Sequence, residues 1–293
     1  MISSEEIKRI HSSVWIKGYG SITANECCFL RDVIAKRQPG RFLELGTASG
    51  LSTGFIAEFM SHHGGQEVVS IDLAPYFWID QSKSIGFLAR QIYTGNDVKI
   101  VFHQGKDSSC LAENNYSDKF DMAFIDANHQ HPWPTLDMIA VLPALNKRAI
   151  IVHHDLALYR KQTPLRSIGP KYLYDQIKED FKVLTNDPKK NIFYIKTTSQ
   201  YFDFEESLVN ALYLPWSNRL PITDPVLKRF REIIDQYWGA DLLKAFDEST
   251  NKFNRRQNAL KLEFMLTKQK LKQIAFRRRN MTSLIAPLRS IFR

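Results

Sequence analysis

The sequence Phe42-Leu-Glu-Leu-Gly-Thr-Ala-Ser-Gly50 holds a short apolar run followed by two glycines four residues apart. Beyond the second glycine, Leu51, Phe55, Ile56 and Phe59 recur at the spacing of one helix face. The pattern predicts a strand, a glycine loop and a helix. Such a loop presents free backbone N–H groups to a ligand, and glycine lets the ligand approach the main chain closely.

Strands and helices continue to alternate from this loop to about residue 198. Strands are predicted at residues 41–45, 67–72, 98–103, 120–126, 149–153, 182–184 and 191–196, and further helices at 82–93 and 135–145. Strands that are apolar on both faces and separated by helical segments indicate an α/β fold, in which helices cover a mostly parallel sheet. The last two strands are predicted to form a closing antiparallel hairpin.

Pattern and composition divide the chain into four segments. Residues 1–40 are predicted to be a helical lead-in, 41–198 the α/β domain, 199–250 a helical extension and 251–293 a basic amphipathic tail helix. In the tail, apolar side chains recur every three or four residues between positions 260 and 292, which is typical of a helix that lies on a partner or on a membrane surface.

The positive charge of the chain belongs to its tail. The whole sequence has a formal charge of +9, but residues 251–293 contain 12 Lys and Arg against one acidic residue, Glu263. The first 250 residues therefore carry 28 basic and 30 acidic side chains, a net charge of −2. A body of this charge argues against nucleic acid as a partner. The tail is predicted to contact anionic lipid at the inner membrane face or to form a homo-oligomer through residues 253–293.

The cysteines and the N-terminus indicate a cytoplasmic protein. Cys27, Cys28 and Cys110 form no even disulfide framework. The first residues lack the basic and apolar regions of a signal peptide, and no apolar run is long enough to span a bilayer.

The glycine loop departs from two common nucleotide-binding patterns. Gly50 is followed by Leu51 rather than by the lysine of a phosphate-binding loop. The dinucleotide pattern G-x-G-x-x-G, counted from Gly46, fails because Ala48 stands at its second glycine and Leu51 at its third. An acid at the end of the second strand, Asp72, can accept both hydroxyls of a ribose, which suits an adenosine ligand without a pyrophosphate.

Four stretches, in this order along the chain, resemble the class I S-adenosylmethionine-dependent methyltransferases. They are Phe42-Leu-Glu-Leu-Gly-Thr-Ala-Ser-Gly-Leu-Ser-Thr53, Ser70-Ile-Asp-Leu73, Phe120-Asp-Met-Ala-Phe-Ile-Asp-Ala-Asn-His129 and Ile150-Ile-Val-His-His-Asp155. The resemblance covers about residues 25–198 and implies a Rossmann-like sheet of seven strands. Its last two stretches are most similar to the branch that methylates sugars and other small hydroxylated metabolites.

The resemblance also implies positions for the cofactor, S-adenosylmethionine. The methionine moiety is expected near the first loop, the ribose on the acid after the second strand, and the adenine near the loop after the third strand. The expected cofactor-binding residues are Glu44, Gly46, Ser49, Gly50, Ser52, Asp72, Gly105, Asp107, Ser108 and Asp126. Ala48 replaces the central glycine of the loop, which weakens the expectation of close backbone approach.

Acids and histidines gather after the fourth and fifth strands, whose carboxyl ends are neighbours in such a sheet. Methyl transfer to a hydroxyl needs a group that takes the hydroxyl proton, and histidine is the natural base. His154 is predicted as this base beside Asp155, with His129 as a second candidate. Alternatively, Asp126 and Asp155 hold a divalent cation such as Mg²⁺, which lowers the pKa of the hydroxyl directly.

The sequence therefore predicts an O-methyltransferase that acts on a sugar or glycan hydroxyl, with lipid-linked surface polysaccharide as one such acceptor. Two other functions remain open at this point. The chain can instead be an RNA methyltransferase that docks through its tail, or a scaffold that keeps the fold without activity. A base-amine methyltransferase carries an Asn-Pro-Pro-Tyr type loop after the fourth strand, where this chain has Asp126-Ala-Asn-His129.

Overall fold

A computed structural model describes residues 2–14, 22–113, 116, 119–160, 167–185 and 189–254. Seven strands in this part of the chain form one sheet in the order β3-β2-β1-β4-β5-β7-β6, in which β7 runs antiparallel to the other six strands. The strands are β1 Arg41–Leu45, β2 Glu67–Asp72, β3 Lys99–Gln104, β4 Phe120–Ile125, β5 Leu145–His153, β6 Lys182–Leu184 and β7 Phe193–Lys196. The predicted α/β class, the mostly parallel sheet and the closing hairpin are confirmed.

Helices cover both faces of the sheet. They are α1 Ser4–Val14, α2 Ala24–Arg37, α3 Leu51–Ser61, α4 Ala89–Ile92, α5 Cys110–Glu113, α6 Trp133–Val141, α7 Gly169–Gln176, α8 Glu205–Leu212, α9 Asp224–Tyr237 and α10 Ala240–Phe253. Side chains alternate along a strand, so Phe42 packs under α1 to α3 while Leu43 faces α6 and the C-terminal helices. Each face thus buries one apolar core.

The C-terminal helices share the core of the sheet. Phe204, Leu208 and Phe230 are fully buried in the same cluster as Leu43 and other residues of the central strands. The indole of Trp238 donates a hydrogen bond to the carbonyl oxygen of Ile139 in α6, at 3.1 Å. Residues 199–254 are therefore packed against the α/β domain and not held apart from it.

The helix predicted at residues 82–93 is wrong over most of its length. Only Ala89–Ile92 is helical, because the preceding backbone bonds to the glycine loop. Gly86 N–H donates to the carbonyl of Ala48 at 3.0 Å, and Leu88 N–H donates to that of Ser49 at 2.9 Å. Gly86 has φ +75°, and a β-carbon there would lie 2.5 Å from the ring of Phe102. The backbone of residues 86–88 thus supports the glycine loop by hydrogen bonds instead of forming the first turns of the expected helix.

None of the helices within the described ranges is long and apolar enough to cross a membrane. Of the tail helix predicted at 251–293, residues 251–253 form the end of α10. Residues 255–293, with most of the predicted membrane or oligomer contacts, lie outside the described part of the chain.

Candidate active site

The glycine loop between β1 and α3 has an uncommon backbone. Gly46, Ala48 and Gly50 all have positive φ, at 94°, 44° and 81°. A β-carbon on Gly46 would lie 2.2 Å from the carbonyl oxygen of Asp126, so only glycine fits between the ends of β1 and β4. Ala48 takes the left-handed conformation without being glycine, which the loop tolerates because it holds Ala48 by hydrogen bonds.

Asp72 links the ends of β1 and β2. Its Oδ2 accepts the backbone N–H of Ala48 at 2.8 Å, and its Oδ1 accepts that of Ala74 at 2.8 Å. Each carboxylate oxygen has a second lone pair, so Asp72 can still accept hydrogen bonds from a ligand on its open side. The side chain therefore shapes the loop as well as offering a polar contact.

Glu44 lies beneath the loop and is fully buried. Its Oε1 accepts the hydroxyl of Ser52 at 2.5 Å, and its Oε2 accepts those of Thr53 at 2.5 Å and Ser70 at 2.6 Å. Burial raises the pKa of Glu44 to about 7, although the three hydroxyl hydrogen bonds oppose that rise. Glu44 thus holds the first turn of α3 in place below the ligand edge of the sheet.

The raised pKa predicts a pH-dependent contribution of Glu44 to stability. Its folded-state pKa of about 7 exceeds the ordinary 4.5, so the folded chain binds this proton more tightly than the unfolded chain. The stabilisation is complete below pH 4.5 and is lost as the pH rises through about 7. Relative to Glu44→Gln, the wild-type free energy of unfolding should fall by on the order of 3 kcal/mol across that window. Urea unfolding at several pH values measures it, and parallel profiles for the two proteins would refute it.

A cavity of about 940 Å³ opens along the carboxyl ends of the strands. Ten of the residues predicted for the site line it: Gly46, Ser49, Ser52, Asp72, Asp107, Ser108, Asp126, His129, His154 and Asp155. Glu44, Gly50 and Gly105, predicted to contact the cofactor, do not line it. Glu44 is covered by hydroxyls, and a β-carbon on Gly50 would meet the backbone of Gly86. In this structure these residues shape the loops, and they do not face the cavity.

His154 lies between carboxylates on both edges of its ring. Nδ1 lies 3.1 Å from Asp126 Oδ1 and 3.4 Å from Asp155 Oδ1, while Nε2 lies 3.2 Å from Glu26 Oε1. Burial lowers the pKa of His154, but the charges of Asp126 and Asp155 outweigh it and place the pKa well above 6.5. His154 is therefore a cation at neutral pH, and both of its N–H groups are engaged. This arrangement does not favour His154 as a free base.

His129 approaches the same carboxylates from the cavity side. Its Nε2 lies 3.0 Å from Asp155 Oδ2 and 3.3 Å from Asp126 Oδ1. Burial lowers the pKa of His129, but the hydrogen bond to Asp126 and the charge of Asp155 have the larger combined effect. The pKa is therefore raised above the ordinary 6.5. Burial raises the pKa of Asp155, but the nearby His154 and His129 outweigh it and lower that pKa far below its ordinary value.

Two residues of this cluster were missed in the sequence, Glu26 and Asn191. Glu26 is buried, which raises its pKa, but the hydrogen bond to His154 and the charge of that ring outweigh the burial and lower the pKa to about 2. The amide nitrogen of Asn191 donates to Glu26 Oε1 at 3.0 Å and to Asp155 Oδ1 at 3.1 Å. Its Oδ1 accepts the N–H of Ala157 at 3.1 Å, which fixes the amide orientation. The sequence Thr23-Ala-Asn-Glu26 does carry a capping-box signal, but that signal explains only the helix start.

His153 faces away from the cluster. Its side chain is buried and its ring stacks on Phe193, with centroids 5.4 Å apart and planes 5° apart. Within the described residues neither ring nitrogen has a hydrogen-bond partner, and burial lowers the pKa to about 3. The side chain of His153 therefore points to the opposite face of the sheet from that of His154.

The loop after β3 is held from two sides. The hydroxyl of Ser108 donates to Asp137 Oδ1 in α6 at 2.7 Å, and burial raises the pKa of Asp137 to about 7. From the other side, Arg229 of α9 forms a 3.0 Å ion pair with Asp107 Oδ2. Both Asp107 and Ser108 line the cavity.

The sheet order, the glycine loop at the end of β1 and the acid at the end of β2 define a Rossmann-like methyltransferase fold. Residues 43–156 match the family profile described as a methyltransferase domain. The chain thus contains a methyltransferase domain of the S-adenosylmethionine-dependent class, and the predicted class of enzyme is confirmed.

Solved structures with similar folds include several O-methyltransferases. One from Bacillus cereus, in complex with SAH, is 21% identical, with 66% of this chain and 90% of that chain covered and a TM-score of 0.46. TomG from Streptomyces achromogenes, involved in tomaymycin synthesis and in complex with SAM, is 18% identical over 66% and 89%, with a TM-score of 0.46. A putative caffeoyl-CoA O-methyltransferase from Staphylococcus aureus is 18% identical over 67% and 93%, also with a TM-score of 0.46.

Proposed function

We propose that this chain is an O-methyltransferase that transfers the methyl group of S-adenosylmethionine to a hydroxyl of a small acceptor, a sugar or a glycan. The observation that carries the proposal is that one cavity of about 940 Å³ is lined both by the glycine loop with Asp72 and by the cluster of Asp126, His129 and Asp155. A pocket of this size has room for a nucleoside cofactor and part of an acceptor. Methyl transfer needs both in one place, aligned in line.

The lining residues fit the cofactor by their chemistry. Residues 46–49 line the cavity beside the end of β1, and Asp72 offers carboxylate oxygens to the ribose hydroxyls. Asp107 and Ser108, which follow β3 and line the cavity, would contact the adenine, and Asp126 lines the same cavity after β4. Bound there, S-adenosylmethionine supplies the methyl group as a sulfonium.

For the acceptor proton, we propose His129 in preference to His154. Both nitrogen atoms of His154 lie within 3.4 Å of carboxylate oxygens, whereas the carboxylate contacts of His129 are at Nε2. Nδ1 of His129 is then the atom that takes the hydroxyl proton, while Asp126 and Asp155 orient the ring. His154 holds these two carboxylates in position, and Glu26 contacts the other nitrogen of its ring.

The same cluster has a donor set that fits a divalent cation. One atom each of Asp126, His154 and Asp155 lie within 4.8 Å of one another. Two carboxylates and one imidazole nitrogen are suitable ligands, and Glu26 would keep the proton on Nε2 while Nδ1 faces the ion. A cation bound there would lower the pKa of the acceptor hydroxyl. Asn191 would not be a ligand, since its oxygen is bonded to Ala157.

Titration with Mn²⁺ or Mg²⁺ separates the two proposals for the proton. If the cation site exists, calorimetry of the wild type should give binding that Asp155→Asn weakens by more than about tenfold, since a neutral amide oxygen replaces a charged ligand. Asp121→Asn, a carboxylate at the opposite end of β4, should leave that binding unchanged. If none of the three proteins shows heat of cation binding, the cation site is rejected and His129 remains as the proposed base.

Substitution of Asp72 tests the cofactor assignment. Asp72→Ala should weaken binding of S-adenosylhomocysteine by about 2 kcal/mol, because a charge-assisted contact and the hold on Ala48 are both lost. Asp121→Ala is the matched control, since Asp121 also accepts two backbone amides, those of Gly40 and Arg41, but far from the cavity. Calorimetry should show weakened binding in the first variant only. Equal affinity of a folded Asp72→Ala variant would remove Asp72 from the site.

The acceptor class has its own experiment. Comparison of host cells with and without the protein by mass spectrometry of their surface glycans should reveal a mass difference of one methylene group. Glycans of identical mass in both strains would direct the search to free small molecules.

A further inference from the structure

We propose that Arg229 in α9 is a positioning residue of the cofactor site, which fixes the loop after β3 through Asp107 and so makes the C-terminal helices part of that site. The inference rests on the proposed function, because the role of the loop is to bind the nucleoside end of the cofactor. Arg229 lies outside residues 43–156, the part of the chain that matches the methyltransferase domain.

The guanidinium of Arg229 spans two residues of the loop. Its Nη2 donates to Asp107 Oδ2 at 3.0 Å, and its Nε donates to the hydroxyl oxygen of Ser109 at 2.8 Å. Nε also lies 3.9 Å from Glu113 Oε1, and Glu113 in turn lies 3.6 Å from Lys106. A planar guanidinium that donates to two acceptors holds them at a fixed distance from each other. It also places a positive charge beside the carboxylate.

Asp107 is the point at which this guanidinium meets the cavity. Its side chain is only 7% exposed and lines the cavity. Oδ1 is taken by the backbone N–H of Ser109 at 2.9 Å and by the hydroxyl of the same residue. Arg229 is the partner of the other oxygen, Oδ2. Without the guanidinium, Asp107 keeps its link to Ser109 but loses the contact that sets the rotation of the carboxylate.

Arg231, a second arginine of α9, forms an exposed ion pair and serves as the comparison for Arg229. Arg231 contacts Asp247 of α10 at 3.1 Å, and the two side chains are 52% and 42% exposed. That pair joins two C-terminal helices and touches no cavity residue. Exposed pairs of this kind contribute little to stability. Arg229 differs because the side chain of its acceptor is only 7% exposed and belongs to the loop at the ligand edge.

The experiment compares binding of S-adenosylhomocysteine by the full chain and by Arg229→Ala, Arg229→Lys and Arg231→Ala in calorimetry. Arg229→Ala should weaken binding at least about fivefold, since a largely buried carboxylate loses its charged partner. Arg229→Lys should recover part of the loss, because it restores the charge but not the planar guanidinium. Arg231→Ala should bind as the wild type does.

Chemical rescue separates positioning from a general loss of structure. Millimolar guanidinium chloride should restore part of the affinity of Arg229→Ala and leave that of Arg231→Ala unchanged, because only the first variant has a site for the ion. If Arg229→Ala does not fold, Arg229→Gln, which keeps a donor of similar reach, takes its place. Wild-type affinity in the folded Arg229 variants would overturn the inference. Failure of the wild type itself to bind would instead count against the proposed function.

Discussion

Gly46→Ala is expected to cost at least about 3 kcal/mol of folding stability and to weaken S-adenosylhomocysteine binding more than about tenfold. Two effects add at this position. The φ of +94° is one that residues with a β-carbon rarely adopt, and the new carbon would lie 2.2 Å from the backbone oxygen of Asp126. Relief requires the ends of β1 and β4 to separate, and Leu45 at the end of β1 and Asp126 just after β4 both line the cavity.

Gly64→Ala is the matched control for this prediction. Gly64 has a φ of +72°, but no atom lies within 4 Å of the β-carbon it would gain. The substitution should therefore cost only the conformational strain, about 1 kcal/mol, and should leave ligand binding unchanged. Urea unfolding and calorimetry on both variants measure the two effects. If the two alanine variants lose equal stability and equal affinity, the close approach at Gly46 is not what the loop requires.

His154→Ala is expected to destabilise the fold by about 3 to 5 kcal/mol near pH 7. The imidazolium lies within 3.4 Å of Glu26, Asp126 and Asp155, and its removal leaves three carboxylates close together with little water. The donor from Asn191 cannot replace a full positive charge. Thermal and urea unfolding measure the loss.

The adjacent histidine provides the comparison for this variant. His153→Phe removes two ring nitrogens that have no hydrogen-bond partner among the described residues, and it keeps an aromatic ring against Phe193. Its stability should change by less than about 1 kcal/mol. A larger loss in His153→Phe than in His154→Ala would contradict the assignment of charge and burial to this strand end.

The sequence was sufficient to predict the sheet and the main ligand loop because both depend on local patterns. The apolar run before Gly46, the acid at Asp72 and the regular alternation to residue 198 each report on a few neighbouring residues. The helix expected at 82–93 failed for the opposite reason. Its backbone amides bond to Ala48 and Ser49, some forty residues earlier, and no periodicity records such a contact.

The same distinction applies to the candidate site. Asp126, His129, His154 and Asp155 could be proposed together because they follow neighbouring strands of the sheet. Glu26 and Asn191 could not, since one starts a helix of the lead-in and the other lies in the hairpin, 165 positions apart in the chain. The proposal of His129 rather than His154 as the base likewise depends on Glu26, which contacts the second nitrogen of His154.

The position of β7 between β5 and β6 has a consequence for synthesis on the ribosome. Because β6 is made before β7 but does not pair with β5, the β5 edge has no partner until residue 196 has left the exit tunnel. An open edge of apolar strand residues in a nascent chain invites pairing with other chains. Asn191 enters the cluster of Glu26, His154 and Asp155 with that same hairpin. Nascent chains shorter than this therefore lack both the last strand pairings of the sheet and a complete site.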